Sequence, residues 1–373
     1  MKICIVSNGD AFDEKNWSGT PFNLASRFEK YDNVEVISLN LRETVSHPVY
    51  RFLQKTIGKI ILIKGSPRDP LVFKHDAKII QEQMDALQAD IYLFCAEYCL
   101  AQNVFDNKAP FYYNYVDATM RPLIEADPKR KMGIELFLKK YEENERVCYG
   151  LLNGCFTMNE WTRNSIHQMY GFPKEKIYNV GFGINTNYYM GDKDYKTPHL
   201  LIVLRKGTEY YKGLDLVLEA FVDARKSIPE LKLSVVGTEY EQIEGVTYYY
   251  NQPREITVEL FRQATLYVMP AVREPNGITY LEALANKTPI VGLSRFAFPE
   301  FSGYGRFGFC VSDYNRKELA ETIIKALSNP ERLEEMGKQG QEFVKNKYNW
   351  DLVVSKMMEQ FDKDLKEKDH IRK

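Results

Sequence analysis

The sequence predicts an α/β protein built from two doubly wound domains in series. Short runs rich in β-branched and aromatic residues alternate with amphipathic helical stretches through the first half of the chain, and the alternation restarts at "HLLIVLR" (199–205). Such alternation is typical of parallel sheets with helices on both faces. The length of 373 residues is long for one hydrophobic core and comfortable for two. A cleft between two such domains is the natural place for a ligand.

The first predicted domain covers residues 1–183. Its helical stretches include "PFNLASRFEKY" and "DAKIIQEQMDALQ", in which apolar residues recur at helical spacing. Around 176–198 the pattern changes to glycine, asparagine and charge, which is typical of an interdomain connection. The predicted strands of this domain are 2–7, 34–40, 90–96, 111–116 and 154–158.

The second predicted domain covers residues 184–349 and repeats the same pattern. Its predicted strands are 199–205, 231–237, 246–251, 265–272 and 289–293. Helices are predicted over 212–228, over 255–264, from Gly277 onwards, over 316–327 and over 331–346, and a terminal helix follows over 351–368.

The composition is that of an ordinary globular protein, with 44% hydrophobic and 27% charged residues. A net charge of -1 gives no global attraction to nucleic acid. The six cysteines are scattered without a Cys-x2-Cys pair, which argues against a zinc site and favours a reduced, cytoplasmic setting. The apolar run at the N-terminus is too short for a signal peptide and is interpreted as a strand. We see no apolar run near the ~18 residues that a membrane helix needs.

Three loops link a predicted strand to a helix start, where free N–H groups receive phosphates. The first is "NGDAFDEKNWSGTPFNL", in which Gly19 would let the backbone approach a ligand closely and Pro21 suits the first turn of a helix. An ordinary helix start, capped by Ser18 or Thr20, explains the same residues equally well.

The second loop is "LRKGTEYYKGLDLVLEAF", where Arg205 and Lys212 flank a strand-to-helix turn. An arginine can bind a diphosphate with two hydrogen bonds, and a lysine can act as a point charge. Lys206 would serve in place of Arg205 if the spacing differs by one residue. Taken singly, each of these cations is by default a solvated surface residue.

The third loop is "REPNGITYLEALA" (273–285), which places Glu274 in a turn and Glu282 inside the following helix. A carboxylate accepts two hydrogen bonds side by side, which matches the neighbouring hydroxyls of a sugar or ribose. The backbone N–H groups of Gly277 and Ile278 would meanwhile bind a phosphate. Acids also favour the first helical turn for electrostatic reasons alone, so helix-start chemistry remains an alternative.

Together these segments resemble the family-4 glycosyltransferases of the GT-B fold. "EPNGITYLEALANKTPIV" is similar to the Glu-x7-Glu signature of that family, and "RKGTEYYKGLDLVLEAF" to its Arg…Lys-Gly diphosphate segment. "WSGTPFNLASRF" resembles its N-terminal glycine loop, and "NEWTRNSIHQMYGFPKEKIYNVGFGIN" the segment that ends its N-terminal domain. The resemblance covers nearly the whole chain in the expected order, and the Glu-x7-Glu region is its specific part.

The resemblance implies two Rossmann-like α/β/α domains that face each other across a cleft. The C-terminal domain (184–349) would hold a nucleotide-diphosphate sugar as donor. The N-terminal domain (1–183) would bind the acceptor, which is a glycan, a lipid-linked sugar or a small molecule, and a terminal helix at about 350–373 would pack back on it. Transfer would retain the anomeric configuration, need no metal and no cofactor besides the donor, and be helped by domain closure about the linker.

The same resemblance implies roles for individual residues. Glu274 would contact the hydroxyls of the donor sugar, and Glu282 the ribose. Arg205 and Lys212 would neutralise the diphosphate leaving group, and Gly19 would approach the phosphate from the N-terminal domain. The turn that binds the donor would comprise Asn276, Gly277 and Ile278.

One departure from the family concerns the end of the fourth N-terminal strand, where many relatives carry a histidine. Here "YNYVDATMRP" offers Asp117. This carboxylate would bind the sugar or orient the acceptor hydroxyl, and a helix-capping role is an equal alternative.

Two further motifs carry no function in this interpretation. "GYGRFG" (303–308) matches Gly-x-Gly-x-x-Gly but lacks the strand–turn–helix context of a dinucleotide site, so an oxidoreductase is rejected. The "DKD" segments at 192–194 and 362–364 are interpreted as solvated charge rather than as a metal motif.

Residues 51–80 contain seven Lys or Arg against two Asp, beside apolar residues at helical spacing. They would lie on an anionic membrane surface in a cytoplasmic protein that is peripheral to a membrane, or they form an ordinary amphipathic helix. Two alternative functions share the GT-B architecture. One is a sugar-nucleotide epimerase, and the other is a nucleotide-sugar binding protein without catalysis.

Overall fold

The structure is a computed structural model, and it describes residues 1–41, 73–95, 110–127 and 135–371. The chain divides into two compact units. An N-terminal unit consists of Met1–Phe182 together with Trp350–Lys373, and a C-terminal unit consists of Gly183–Asn349.

The described part of the N-terminal unit forms a six-stranded parallel sheet with the order β2-β1-β3-β4-β5-β6. Its inner strands are buried on both faces, as the near-continuous apolar run "KICIVS" predicts. Strand β6 was not predicted, because its three residues lie inside the stretch interpreted as a connection. The strands are β1 Lys2–Ser7, β2 Glu35–Asn40, β3 Ile91–Cys95, β4 Phe111–Val116, β5 Gly154–Thr157 and β6 Ile177–Asn179.

Helices lie between these strands along the chain. Helix α1 places Leu24, Ala25 and Phe28 in the core, as its amphipathic pattern predicts. Helix α5 begins at a cap in which the Asn159 side chain accepts from the Thr162 N–H at 2.7 Å, and it ends at Gly171 with φ 67°. The helices are α1 Thr20–Phe28, α2 Phe73–Leu87, α3 Met120–Glu125, α4 Glu135–Gly150 and α5 Glu160–Tyr170.

The C-terminal unit contains a second parallel sheet of six strands, all among the described residues, with the order β12-β11-β10-β7-β8-β9. The chain builds β7, β8 and β9 outwards in one direction and then returns to build β10, β11 and β12 in the other. The α/β class with a parallel sheet in each domain is therefore confirmed. The strands are β7 His199–Val203, β8 Lys232–Val236, β9 Val246–Tyr249, β10 Leu266–Val268, β11 Ile290–Leu293 and β12 Gly308–Val311.

The helices of this unit alternate with its strands along the chain, as is usual in α/β proteins. Helix α9 is the most deeply placed, since every residue from Tyr280 to Ala285 is buried. It packs against α12 so closely that a Cβ at Gly340 would lie 2.6 Å from Leu284 Cδ2. The helices are α6 Glu209–Lys212, α7 Leu214–Arg225, α8 Arg254–Gln263, α9 Ile278–Ala285, α10 Phe298–Phe301, α11 Arg316–Leu327 and α12 Pro330–Lys347.

The last helix, α13 (Trp350–Ile371), belongs to the N-terminal unit. The fully buried ring of Phe361 lies against Phe28, Tyr113 and Phe156, with centroid distances of 6.0, 4.9 and 5.7 Å. The Tyr113 hydroxyl donates to the Asp364 carboxylate. An aromatic cluster and a polar contact thus hold the chain terminus on the N-terminal sheet.

Replacing Phe361 by alanine is expected to lower the free energy of unfolding of the N-terminal unit by about 3–5 kcal/mol, because the cavity would lie inside the aromatic cluster. The three tryptophans, Trp17, Trp161 and Trp350, all belong to this unit. Tryptophan fluorescence during urea unfolding therefore reports on it selectively. The matched control is Asp362→Ala, which alters the exposed neighbour on the same helix. Equal losses of stability in the two variants would contradict this packing role.

Candidate active site

The order of the C-terminal sheet reverses between β7 and β10, which are hydrogen-bonded neighbours with Leu200 opposite Leu266. In parallel strands the carboxyl ends meet at one edge, so the loops 204–213 and 269–277 leave the sheet side by side. Ligands of open α/β sheets bind at such a switch point. Two of the three loops singled out in the sequence therefore come together here.

The centre of this site is the carboxylate of Glu274. Its Oε2 forms an ion pair with the Lys212 ammonium, and its Oε1 accepts the Gly277 N–H at 2.8 Å. Both side chains of the ion pair are 19% exposed, so a ligand can reach them although they are largely enclosed. The Tyr211 carbonyl accepts the Val272 N–H at 2.9 Å and fastens the two loops to each other.

Two glycines make this approach of the loops possible. Gly213 has φ 76°, and a Cβ there would lie 2.4 Å from the Pro270 carbonyl oxygen. Gly277 has φ 58°, and a Cβ there would lie 2.4 Å from the Tyr280 ring. Both the left-handed backbone and the lack of space exclude a side chain at these positions.

The N-terminus of α9 follows Glu274 closely in the chain. Gly277 is the N-cap residue and Ile278 the first residue of the helix, and Asn276 precedes them as a half-buried residue of the turn. First-turn N–H groups have no intrahelical acceptor, and the helix dipole favours an anion there. The N–H groups that need an acceptor at the start of this helix are therefore the same groups that would bind an anionic ligand. The Glu274 carboxylate already accepts the Gly277 N–H, so a ligand anion would lie beside it.

Arg205 is an exposed residue of the loop after β7, where its N–H donates to Thr208 Oγ1 at 3.2 Å and the hydroxyl donates back to the Arg205 carbonyl at 2.7 Å. Lys206, the alternative cation, holds its Nζ 4.8 Å from the centre of the Tyr250 ring. Arg205 therefore lies on the same edge of the sheet as Lys212, and Lys206 is engaged with the segment after β9.

Glu282 lies deeper than Glu274, on α9, with 8% of the residue exposed. Its Oε1 accepts a hydrogen bond of 2.8 Å from Arg254 Nη2, and the same nitrogen donates to the Asn185 carbonyl at 2.8 Å. Burial raises the pKa of Glu282, and the charge and hydrogen bond of Arg254 act against that rise. Sequence reasoning missed Arg254, which stands in "NQPREIT" without any local motif.

In the N-terminal unit, Gly19 follows β1 and is the buried N-cap residue of α1, with φ 79°. Trp17 and Ser18 before it also have left-handed backbones, with φ 42° and 56°. Neither Ser18 nor Thr20 caps the helix, so that alternative was wrong. Trp17, Ser18 and Gly19 form a run of three left-handed residues, and the last of them, Gly19, is the N-cap residue of α1.

Asp117 is half-buried directly after β4. Its carbonyl accepts hydrogen bonds from Asn159 Nδ2, at 3.3 Å, and from the Thr162 hydroxyl. The N-cap residue of the following helix α3 is Thr119, whose side chain makes no capping hydrogen bond, and both alternatives for the Asp117 carboxylate stay predictions. Gly19 and Asp117 lie at the carboxyl edge of one sheet, and the other predicted site residues lie in the C-terminal unit.

The two motifs to which the sequence analysis gave no function, "GYGRFG" and "DKD", differ in how well the structure agrees with that interpretation. Gly303–Gly305 forms a short 3-10 turn that leads into β12, so "GYGRFG" is not a strand-to-helix loop. In the first "DKD" segment Asp192 and Asp194 are exposed, as interpreted, but Lys193 between them is not a solvated charge, and for this residue the interpretation was wrong. Its ammonium donates to the Phe261 and Arg262 carbonyls at 2.9 and 2.7 Å and to Thr288 Oγ1 at 2.9 Å.

Within the described residues, no group of three or more His, Cys, Asp or Glu lies together so as to hold a metal. No helix within the same ranges is long and apolar enough to cross a membrane. The basic segment 51–80 lies outside the described residues up to 72, and its last eight residues begin α2. Membrane contact through this segment stays a prediction.

Comparison with solved structures identifies the fold. A sucrose-phosphate synthase from Thermosynechococcus elongatus superposes with a TM-score of 0.67 at 15% identity, over 97% of this chain and 98% of that one. A glycosyltransferase from Rickettsia africae ESF-5 superposes with a TM-score of 0.65 at 15% identity, over 98% of both chains. At these identities the likeness shows the fold alone. It confirms the predicted GT-B fold.

The family resemblance is confirmed by a second comparison. Residues 193–343, which lie within the C-terminal unit, match the family model described as Glycosyl transferases group 1. A probable sucrose-phosphate synthase from Thermosipho melanesiensis is 25% identical over 224 residues, which are 55% of this chain and 52% of that protein. The chain spans about half or less of the length of the curated relatives that it matches.

The enclosed ammonium of Lys193 predicts a pH dependence of stability. Burial lowers its pKa from 10.5 to about 7 in the folded protein. An unfolded lysine keeps its proton up to its ordinary pKa, so the unfolded state binds more protons between these two values. The free energy of unfolding is therefore expected to rise with pH from about 7 to about 10, by at most about 1.4 kcal/mol per pH unit from this group.

The measurement compares the wild type with Lys193→Met by urea unfolding at several pH values. The difference in free energy of unfolding, wild type minus variant, should increase as the pH rises through this window. A difference that stays level or decreases would show that Lys193 does not titrate in this way.

Proposed function

We propose that the protein is a glycosyltransferase that moves a sugar from a nucleotide-diphosphate sugar to an acceptor hydroxyl. The observation that carries this proposal is the Glu274 carboxylate, held between the Lys212 ammonium and the Gly277 N–H at the switch point of the C-terminal sheet. The family match of residues 193–343 supports it. In finer detail, we propose hexosyl transfer with retention of the anomeric configuration, without a metal or a cofactor besides the donor.

The diphosphate of the donor would bind to cations and helix N–H groups that the structure brings to one edge. Lys212 and Arg205 supply positive charge, and the first turn of α9 at Ile278 supplies N–H groups. A diphosphate competes with Glu274 for the Lys212 ammonium, because both are anions. Once the lysine turns to phosphate, the carboxylate is available for the hydroxyls of the donor sugar.

Bond breaking would leave negative charge on the diphosphate, and the same cations and N–H groups would stabilise that charge. This electrostatic stabilisation is the dominant catalytic contribution in our proposal. The bond from the anomeric carbon to the phosphate oxygen breaks, and the acceptor oxygen forms the new bond on the same face. The acceptor proton passes to the leaving phosphate oxygen, so no protein nucleophile takes part.

The remaining predicted residues take supporting roles in this proposal. Glu282 would bind the ribose hydroxyls, and Asn276 would shape the turn around the diphosphate. In the N-terminal unit, Gly19 would approach the phosphate, and Asp117 would orient the sugar or the acceptor hydroxyl. The acceptor would be a carbohydrate, a lipid-linked sugar or a small molecule, and the proposed setting is cytoplasmic, with peripheral contact to a membrane.

The proposal is tested by incubating the protein with uridine, guanosine and adenosine diphosphate sugars and a panel of sugar acceptors. Mass spectrometry should detect a lengthened acceptor together with free nucleoside diphosphate, and the coupling constant of the anomeric proton should show retention. Activity should persist in a chelator. Epimerised donor without consumption of acceptor would establish an epimerase instead, and binding without turnover would establish a nucleotide-sugar binding protein.

Glu274→Gln is expected to lower kcat at least about 100-fold, because the neutral amide neither pairs with Lys212 nor binds sugar hydroxyls as strongly. The amide oxygen still accepts the Gly277 N–H, so the fold should persist. The control is Glu300→Gln, since Glu300 is a similarly enclosed glutamate of the same unit that pairs with Lys347 at 2.6 Å. Near-normal turnover of Glu274→Gln, or an equal loss in the control, would remove Glu274 from the active site.

Glu282→Gln is expected to raise the donor KM by about 10-fold with a smaller change in kcat, because ribose is held alike in the ground and transition states. Initial rates over a donor titration separate the two parameters. A loss confined to kcat would assign Glu282 to the chemical step and not to donor binding.

A further inference from the structure

Arg254 is the charged residue that faces the buried Glu282. Its side chain is 55% exposed, whereas that of Glu282 is 11% exposed. The guanidinium therefore lies on the solvent side of the carboxylate. Because the Asn185 carbonyl accepts from the same Nη2 nitrogen, the guanidinium has a second anchor that limits its rotation.

The position of Arg254 in its own helix does not explain the residue. Arg254 is the first residue of α8, after the N-cap Pro253, which makes no side-chain capping bond. The N-terminus of a helix carries partial positive charge, so a cation is unfavourable there and an acid such as the next residue, Glu255, is favourable. The benefit of an arginine at this position must come from outside the helix, and Glu282 is the contact that supplies it.

Glu282 uses only one of its two oxygens within the described part of the chain. Oε1 accepts from Arg254, and no hydrogen bond to Oε2 occurs there. An ionised carboxylate accepts hydrogen bonds at both oxygens, whereas a protonated one gives up acceptor capacity and becomes a donor. The protonation state of Glu282 therefore decides whether Oε2 can receive a hydroxyl.

Burial and Arg254 have opposite effects on the charge of Glu282. Burial raises its pKa, and Arg254 lowers it. Among the described residues, Tyr267 on β10 and Glu274 in the loop before α9 are further titratable groups of this region. Burial, and then the nearby charges of Glu282 and Glu274, raise the pKa of Tyr267, so its phenol stays neutral. Arg254 is thus the group that opposes the rise in the pKa of Glu282.

We propose that Arg254 is a positioning residue for the nucleotide. It holds Glu282 ionised and oriented, so that Oε2 is presented to a ribose hydroxyl of a nucleoside diphosphate. This inference rests on the proposed function, and it deepens that function by assigning the pH range over which the donor binds. Arg254 acts through Glu282 and does not need to touch the ribose.

The test measures binding of nucleoside diphosphates by titration calorimetry from about pH 5.5 to about 8.5, with the diphosphate that binds the wild type most tightly. Wild-type affinity should change by less than about threefold over this range, apart from the ionisation of the phosphate itself, which is common to all variants. Arg254→Met should lose affinity progressively as the pH falls, because Glu282 becomes protonated. The loss should reach about 10-fold or more between the upper and the lower end of this pH range.

Three further variants separate this role from a merely structural one. Arg254→Lys keeps the charge and should restore most of the wild-type profile. Arg262→Met removes an arginine of the same helix that pairs with Glu259 instead, and it should leave the profile unchanged. In the double variant Arg254→Met/Glu282→Gln no carboxylate remains to titrate, so the pH dependence of the single variant should disappear.

A wild-type profile in Arg254→Met, or a pH dependence that survives in the double variant, overturns the role of Arg254 and leaves the proposed function intact. Absence of binding of every nucleoside diphosphate to the wild type overturns the proposed function and this inference together. The two failures are therefore distinguishable.

Discussion

The Glu274 carboxylate, which bridges the Lys212 ammonium and the Gly277 N–H, is the interaction on which the C-terminal site depends. It joins the loop after β7 to the loop after β10, and these loops meet only because the strand order reverses between the two strands. The lack of a side chain at Gly213 lets the first loop reach the Pro270 carbonyl of the second. The position of this one carboxylate therefore depends on the strand order, on the glycine at position 213 and on the charge of Lys212.

Glu274 lies just before helix α9 and Glu282 lies within it, and the environments of these two acids differ in kind. Glu274 lies before the helix, where the helix dipole, the Gly277 N–H group and the Lys212 ammonium are favourable partners for a carboxylate, and its partly exposed ion pair is open to exchange of partners. Glu282 lies inside, where burial opposes its charge and a single guanidinium favours it. An acid of the first kind suits a role in which partners change during a reaction. An acid of the second kind suits a role in which one contact is kept throughout.

Much of the fold was predictable because hydrophobic periodicity is local. The strands 2–7 and 111–116 and the helix 316–327 have the predicted bounds. Local signals also located Glu274 and Lys212, since both stand at strand-to-helix turns. They did not reveal Arg254, which meets Glu282 across 28 positions, or the acceptors of Lys193, which come from α8 and the turn before β11. Partners distant in sequence follow from packing, and a pattern in one segment does not contain them.

In the N-terminal unit, the turn before α1 is held in place by a different kind of interaction. Trp17 and Ser18 adopt left-handed backbones that cost non-glycine residues energy, so the surrounding contacts have to maintain them. The buried Asn16 side chain donates to Ser7 Oγ and to the Asp10 carbonyl, both at 3.0 Å, and the Trp17 ring lies edge-on to Tyr115 at 6.3 Å. These contacts hold the turn before α1 against the end of the sheet. Side-chain contacts thus maintain a strained backbone in the N-terminal turn, whereas an ion pair and the hydrogen bond from the Val272 N–H to the Tyr211 carbonyl hold the loops of the C-terminal site together.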